Sequence, residues 1–278
     1  VLTILHISDL HFGPFYVPHV GSALLSKANA LQPDVIIASG DFTQRATPEQ
    51  FTEARAYLDQ LPKVPLVVCP GNHDVPLYRW MERLSRPHDL YKQHITPELN
   101  SVLRLDQAVI VSLDSTAPHT AITNGRIRAW QLKYAGEALR SAPPDALRIV
   151  VAHHHFAPAP DYERSDVMPR ARRAIEFFEA EGVEMILGGH LHRAYIGNSL
   201  DVYPGRNRDR GIVIVQSGTS TSRRGRARER EKNSFNLIYC NADEIRITHY
   251  MHFSDVGFEP VSRHQFPRGN RQYFGSPE

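Results

Sequence analysis

The chain has 278 residues, 41% hydrophobic and 22% charged, which fits a globular protein with a sizeable core and excludes a disordered one. Its formal net charge of +2 argues against a dedicated nucleic-acid or membrane-surface binder. No run approaches the roughly 20 apolar residues that span a bilayer, and the opening Val1-Leu2-Thr3-Ile4-Leu5 leads straight into polar residues, unlike a signal peptide. Cys69 and Cys240 both fall in apolar runs; they read as buried free thiols and point to a reducing compartment, the cytoplasm.

In chain order, Leu2 to Ile7 reads as a strand, Val17 to Leu31 as a helix stopped before Pro33, and Val35 to Ala38 as a compact buried strand. Pro48 to Leu61 carries Phe51, Ala54, Tyr57, Leu58 and Leu61 near a helical period. Leu66 to Cys69 is a third strand, ended by Pro70-Gly71. Residues 75–100 are less regular and helical in part. Val102 to Leu105 and Val109 to Leu113 form two strands turning at Asp106-Gln107. Ile127 to Leu139 is a helix, Arg148 to Ala152 a strand, Pro169 to Glu181 a helix, and Met185 to Leu187 a strand before Gly188-Gly189. Strands then dominate: Ile212 to Gln216, Ser234 to Cys240 and Glu244 to Tyr250.

This order implies an α/β protein of layered sheets and helices, with one domain over 1–254 and an irregular tail over 255–278, where Pro, Gly and Arg abound. The late apolar strands either complete a second sheet or build a homodimer contact. Residues 223–232, from Arg223 to Lys232, are almost wholly charged. They read first as a solvated loop and second as an anion clamp facing a substrate.

Fifteen histidines are the informative feature, because imidazole is both a common metal ligand and an acid or base near neutral pH. Asp9-Leu10-His11 follows the first strand, and residues two apart on extended backbone face one point. Ser39-Gly40-Asp41 follows the second, at the strand end where α/β folds place ligands; alone, it could equally be a turn or cap. Pro70-Gly71-Asn72-His73-Asp74 follows the third, offering an amide oxygen, a proton donor, and a carboxylate able to orient that histidine. His153-His154-His155 follows the strand ending at Ala152, and alternation of faces lets only some of the three reach one ion. Gly188-Gly189-His190-Leu191-His192 repeats the pair spaced by two. Each cluster alone is weak. Together they supply two carboxylates, an amide and four imidazoles at strand ends, enough for two cations that share one carboxylate.

Asp9-x-His11, Gly40-Asp41, Gly71-Asn72-His73-Asp74, His154 and Gly189-His190-x-His192 together resemble the calcineurin-like metallophosphoesterase family over roughly residues 3 to 220. The resemblance implies a four-layer α-β-β-α sandwich with its site at the sheet ends. It implies that Asp9, His11, Asp41 and His192 hold one divalent ion, that Asp41, Asn72, His154 and His190 hold the other, and that His73 meets the phosphate or leaving group, oriented by Asp74. The ions (Mn, Fe or Zn) would share and deprotonate the water that attacks phosphorus. Related bacterial phosphodiesterases carry Pro where this chain has Phe156; alignment on that pattern selects His154, with His153 and His155 as alternatives.

The stretch Gly40-Asp41-Phe42-Thr43-Gln44-Arg45 is similar to the branch containing cyclic-nucleotide and glycerophosphodiester phosphodiesterases. Protein phosphatases of the family end the third motif in Glu and place Arg before its Gly, whereas this chain has Asp74 and Pro70. The expected activity is therefore hydrolysis of a small phosphodiester, with a phosphomonoesterase or nuclease as alternatives within the family. A metal-binding scaffold without catalysis is the competing class, disfavoured because all seven ligand positions are filled. Tyr78, Trp80, Arg83, His88, Tyr91, Tyr162 and Arg164 fall in segments expected at the mouth of the site, where surface packing and substrate contact compete as readings. His119 and Asn124 lie in a loop before a helix and carry no further signal.

Overall fold

The computed structural model describes residues 1–120, 123–158, 167–203, 211–226 and 229–268. Leu2–Ile7 (β1), Val35–Ala38 (β2) and Leu66–Val68 (β3) are parallel neighbours. Each is a short apolar run, as strands covered on both faces require. Pro18–Leu31 (α1) and Pro48–Leu58 (α2) connect them. Both helices begin at a proline, whose missing N–H is no loss in a first turn. The Thr47 hydroxyl caps α2 by accepting from Gln50 N at 3.4 Å.

The short helices Trp80–Ser85 (α3) and Asp89–His94 (α4) follow. Ser101–Leu105 (β4) and Ala108–Ser112 (β5) then form an antiparallel hairpin. Ala129–Arg140 (α5), Leu147–Val151 (β6), Ala171–Ala180 (α6), Met185–Gly188 (β7), Tyr195–Asn198 (β8) and Val213–Gln216 (β9) come next. They complete a second sheet in the order β4-β5-β6-β7-β9-β8. Ser234–Cys240 (β10), Glu244–Phe253 (β11) and Gly257–Pro267 (β12) return to β1, so the first sheet runs β12-β11-β10-β1-β2-β3.

Alternation along each strand divides the core into three layers. In β1, Leu2 and Ile4 face the second sheet, while Leu5 and Ile7 face the helices. Val20 and Leu24 of α1 and Phe51 and Tyr57 of α2 join that outer cluster. Ile110, Ile149 and Leu187 meet Ile4 and Ile37 between the sheets. Leu139 of α5 and Ile175 and Phe178 of α6 cover the far face of the second sheet. The result is helix, sheet, sheet, helix, as the resemblance implies. Tyr91 packs wholly inside the first outer cluster, near Phe42 and Phe51.

Two expectations need correction. The stretch from Asp255 is not irregular throughout, since β12 pairs with β11 along its length. As an edge strand it tolerates Pro260 and Pro267, whose lack of an N–H would break a central one. The last strands extend the first sheet rather than the second, because β10 aligns antiparallel to β1 with Leu2 opposite Cys240. The second sheet instead gains β8, a half-buried edge strand pairing with β9 and too short to announce itself by alternation. Cys69 and Cys240 are buried free thiols, as expected. Among the described residues no helix is long and apolar enough to cross a membrane.

Candidate metal centre

The loops after β1 and β2 run side by side. Asp9 N donates to Gly40 O at 3.0 Å, His11 N to Asp41 O at 3.0 Å, and Phe12 N to Phe42 O at 2.8 Å. This pairing carries Asp9, His11 and Asp41 to one place. The reason differs from the simple alternation of extended backbone: φ is +54° at Asp9, +51° at His11 and +56° at Asp41. His190 and His192, after β7, also have positive φ, +75° and +54°. Left-handed backbone costs an ordinary residue on the order of 1 kcal/mol, and its concentration here marks a strained, functional region. Gly40 is a glycine for a contact reason as well as a conformational one. Its φ is +92°, and a Cβ there would lie 2.8 Å from both Gly71 N and His153 Nδ1.

Two donor clusters result. In the first, Asp9 Oδ1 lies 3.1 Å from His192 Nε2 and 3.5 Å from His11 Nε2, and His11 Nε2 lies 3.6 Å from Asp41 Oδ2. One ligand atom from each of Asp9, His11, Asp41 and His192 falls within 4.8 Å of the others, and all four residues are buried. In the second, Asn72 Oδ1 lies 2.9 Å from His190 Nδ1 and 3.2 Å from His153 Nε2. His153 Nε2 is also 3.3 Å from Asp41 Oδ2. Asp41 Oδ2 therefore touches both clusters.

His153, not His154, completes the second cluster, which corrects the residue selected by motif alignment. His153 Nδ1 donates to Ser39 O at 2.7 Å, fixing the ring and aiming Nε2 inward. The His154 ring puts Nδ1 2.8 Å from Ser115 Oγ and lies beside His190, with centroids 4.7 Å apart. His155 is buried and stacks on His190 with ring centroids 5.6 Å apart.

The carboxylates fit cations. Asp9 Oδ2 accepts from Ser8 Oγ at 2.7 Å and His190 N at 3.0 Å, and Asp41 Oδ1 accepts from His73 N at 2.8 Å. Each leaves its other oxygen, Asp9 Oδ1 and Asp41 Oδ2, buried without a hydrogen bond and pointing into the clusters. A buried anionic oxygen left so is costly unless a cation meets it. Burial pushes both carboxyls up, yet His11 and His192 around Asp9, and His153 and His73 around Asp41, hold them well below the usual range. Burial likewise disfavours a charged His153, but Asp41 outweighs it and raises that imidazole to about 9. The pocket recruits positive charge.

His73 and Asp74 part company. His73 Nδ1 donates to Gln44 O at 3.0 Å, and the ring stands edge-on to His11, 5.0 Å between centroids. Asp74 does not orient that ring, contrary to expectation. Its carboxylate accepts from Gly71 N and Thr43 N, each at 2.9 Å, and from Thr43 Oγ1 at 3.2 Å, so it braces the turn that presents Asn72 and His73. Burial and Asp41 push it up to about 7, against those hydrogen bonds.

Sequence reading kept His153 only as an alternative to His154, and it did not single out Gln44 or Arg224 beside His73. Arg224 Nη1 donates to His73 Nε2 at 2.8 Å and to Gln44 Oε1 at 3.0 Å. The charged run is therefore not simply a solvated loop. Of the expected mouth residues, Tyr78 and Trp80 are exposed, with the Arg45 guanidinium 4.5 Å from the Tyr78 ring centroid. Arg83 donates to Pro118 O at 2.6 Å, and His88 Nε2 lies 2.8 Å from Thr116 Oγ1, so both serve packing. Tyr162 and Arg164 lie outside the described residues.

The protein is a four-layer α/β sandwich with an Asp, Asn and His constellation at its strand ends. The family model for calcineurin-like phosphoesterases matches residues 2–194, and the chain belongs to that family. The chain is similar to a probable cyclic nucleotide phosphodiesterase of Rhodococcus erythropolis, 26% identical over 205 residues, covering 68% of this chain and 64% of that protein. The chain thus spans less than two thirds of that relative's length. It is also similar to the glycerophosphodiester phosphodiesterase GpdQ of Enterobacter lignolyticus, 36% identical over 83 residues, 26% of this chain and 30% of that one. Among solved structures, a dimetal phosphatase from Danio rerio superposes with a TM-score of 0.65 at 12% identity, covering 96% of this chain and 99% of that one. That likeness concerns the fold. Family and buried cluster together fit a dinuclear divalent metal site.

Proposed function

We propose that this protein is a dinuclear metal-dependent phosphodiesterase acting on a cyclic nucleotide or another small phosphodiester. The observation that carries the reading is Asp41 Oδ2, a buried carboxylate oxygen without a hydrogen bond that touches donors of both clusters. In this reading Asp9, His11, Asp41 and His192 hold one ion, and Asp41, Asn72, His153 and His190 hold the other. Mixed oxygen and imidazole donors suit Mn, Fe or Zn. When bound, such ions supply positive charge for phosphoryl oxygens and acidify water at neutral pH.

The chain's own groups do the rest. Asn72 brings a neutral carbonyl, and Asp74 braces the turn that presents it. His73 keeps Nδ1–H on Gln44 O, which leaves Nε2 as the atom that faces a phosphate ester. There a protonated Nε2 can give its proton to the departing oxygen, which leaves as a hydroxyl, and regain one from solvent. Support for a diester over a monoester comes from the names of the Rhodococcus and Enterobacter relatives and from Asp74 and Pro70 in the third motif.

The test is hydrolysis by metal-reconstituted protein of bis-(p-nitrophenyl) phosphate, p-nitrophenyl phosphate, cyclic AMP, 2′,3′-cyclic AMP and glycerophosphodiesters. Diesters should be preferred, and Asn72→Ala should lose at least about 100-fold in rate with an unchanged circular-dichroism spectrum. Full activity in Asn72→Ala would remove the assignment. Monoester preference would select a phosphatase, and inactivity with every metal would select a binding scaffold.

A further inference from the structure

Arg224 opens the charged run, yet its backbone is held by buried structure. Ser222, buried, forms an isolated bridge with Tyr16, and Ser222 O accepts from Asn233 Nδ2 at 2.8 Å. On either side of Arg224, Arg223 N donates to Phe15 O at 2.9 Å and Arg226 N to His192 O at 3.0 Å. The second of these bonds ties the segment to the loop that carries two of the cluster imidazoles. The chain must then pass under Glu229, and a Cβ on Gly225 would sit 2.0 Å from Glu229 O. Arg224 is thus displayed from a fixed position.

Its guanidinium hydrogen-bonds neutral groups and feels the Asp41 and Asp9 carboxylates and the Arg226 and Arg45 charges from farther off. Nη1 donates to His73 Nε2 at 2.8 Å and Gln44 Oε1 at 3.0 Å, and the group lies 5.8 Å from the Phe15 ring centroid. Among the described residues Arg224 forms no ion pair. A partly buried, permanently charged fork that makes no ion pair with a carboxylate can pair with a planar or tetrahedral oxyanion. The His73 contact sharpens the point. Because a carbonyl only accepts, His73 Nδ1 is the donor to Gln44 O; its Nε2 therefore accepts from Arg224 and is covered by it.

We propose that Arg224 is a substrate-binding residue: with Gln44 beside it, the guanidinium receives a non-bridging phosphoryl oxygen and, in turning to it, uncovers His73 Nε2 for the leaving-group side of the ester. This rests on the phosphoesterase reading of the same site. It deepens that reading by assigning the anion contact to the segment after β9, beyond the span matched by the family model. Arg223, exposed on the same segment with Nη2 3.4 Å from Pro14 O, has no such role.

The experiment uses the metal-loaded full chain and two readouts, calorimetric binding of inorganic phosphate and steady-state hydrolysis of bis-(p-nitrophenyl) phosphate. Metal content and thermal midpoint are measured for every protein. Arg224→Gln keeps hydrogen-bonding capacity toward His73 and Gln44 but removes the charge. It should bind phosphate about 10- to 100-fold more weakly, and its kcat/KM should fall by a similar factor, mainly through KM. Arg224→Lys should recover part of both losses, and Arg223→Ala should match wild type. Wild-type phosphate affinity in a fully metallated Arg224→Gln would overturn the proposal, as would an equal loss in Arg223→Ala. If Arg224→Gln does not fold, a folded Arg224→Lys with undiminished phosphate binding and kcat/KM overturns it instead. Failure of the underlying reading shows elsewhere, as wild-type protein that neither binds phosphate nor cleaves any ester.

Discussion

The two sheets make unequal contributions to the centre. The sheet of β1, β2 and β3 supplies every oxygen donor, Asp9, Asp41 and Asn72, with His11 and His73 beside them. The sheet of β6 and β7 supplies nitrogen alone, from His153, His190 and His192. Neither half is a site by itself: carboxylates without imidazoles would be a hard, highly charged pocket, and imidazoles without carboxylates would repel a cation when protonated. A centre assembled across the sandwich demands that the two sheets be in register at their strand ends, which the apolar layer between them, from Ile4 and Ile37 to Ile149 and Leu187, provides.

The largest test of this division of labour is the nitrogen side. His153→Ala should lose about 100- to 1000-fold in hydrolysis and one of two bound metals by elemental analysis, because its Nε2 is shared with Asp41 and Asn72. His154→Ala, one residue along, should keep both metals and stay within about tenfold of wild-type activity. Its cost should appear as stability, since Ser115 Oγ would lose its ring partner. The reverse outcome would mean that the strand presents its other face to the centre.

That single step also shows what the sequence could and could not reveal. The clusters at Asp9, Asp41, Asn72 and His190 were legible because glycine and short apolar strands bracket them; the alternation of short strands and amphipathic helices pointed to a layered α/β protein, and the family resemblance implied its four layers. The choice among His153, His154 and His155 was not, since a shift of one residue on extended backbone exchanges faces. What decides it are Ser39 and Ser115, which bind rings distant from them in sequence. Arg224 was hidden for a related reason: among so many charges, the one turned inward is marked only by its contacts. β12 was masked by Pro260 and Pro267, which composition counts as breakers and an edge strand accepts, and by a face where beyond Phe258 only His264 and Phe266 turn partly inward. The role given to Asp74 failed because adjacency in sequence is not contact; its carboxylate turns back to Gly71 and Thr43.

A smaller effect follows from cations that bridge the sheets. Metal bound to the native centre and absent from the unfolded chain should stabilise the fold by about 2.7 kcal/mol at a hundred times its dissociation constant. For a chain of this size that raises the melting midpoint by roughly 5–10 °C. Differential scanning fluorimetry with Mn or Zn against a chelator reads it directly. In His153→Ala the increment should shrink, since one cluster loses the ligand that ties β6 to β2. An unchanged increment would show that the ions bind within one sheet's loops and do not couple the sandwich.

The smallest effect lies in the first sheet, away from the donors. His249 of β11 is buried opposite Asn236, with Nδ1 3.0 Å from Asn236 Oδ1. Burial, with His264 adding to it, lowers this imidazole to about 4. Its Nε2 lies 4.0 Å from Glu229 Oε1, too far to reverse the effect of burial, and that carboxylate also accepts from Ala194 N and Ser234 Oγ. The folded chain therefore holds His249 neutral where the unfolded chain, with an ordinary value near 6.5, would protonate it. Protons favour the unfolded state across that window, so this stability is complete above about pH 6.5 and is lost as the pH falls toward 4, by on the order of 1 kcal/mol per pH unit. His249→Gln removes the titrating group and keeps an amide for Asn236. Urea unfolding between pH 7.5 and 5 should then give the variant a flatter decline than wild type below pH 6.5, while metal-site histidines contribute equally to both. Parallel declines would place the acid sensitivity of the fold in the metal centre and not in the sheet behind it.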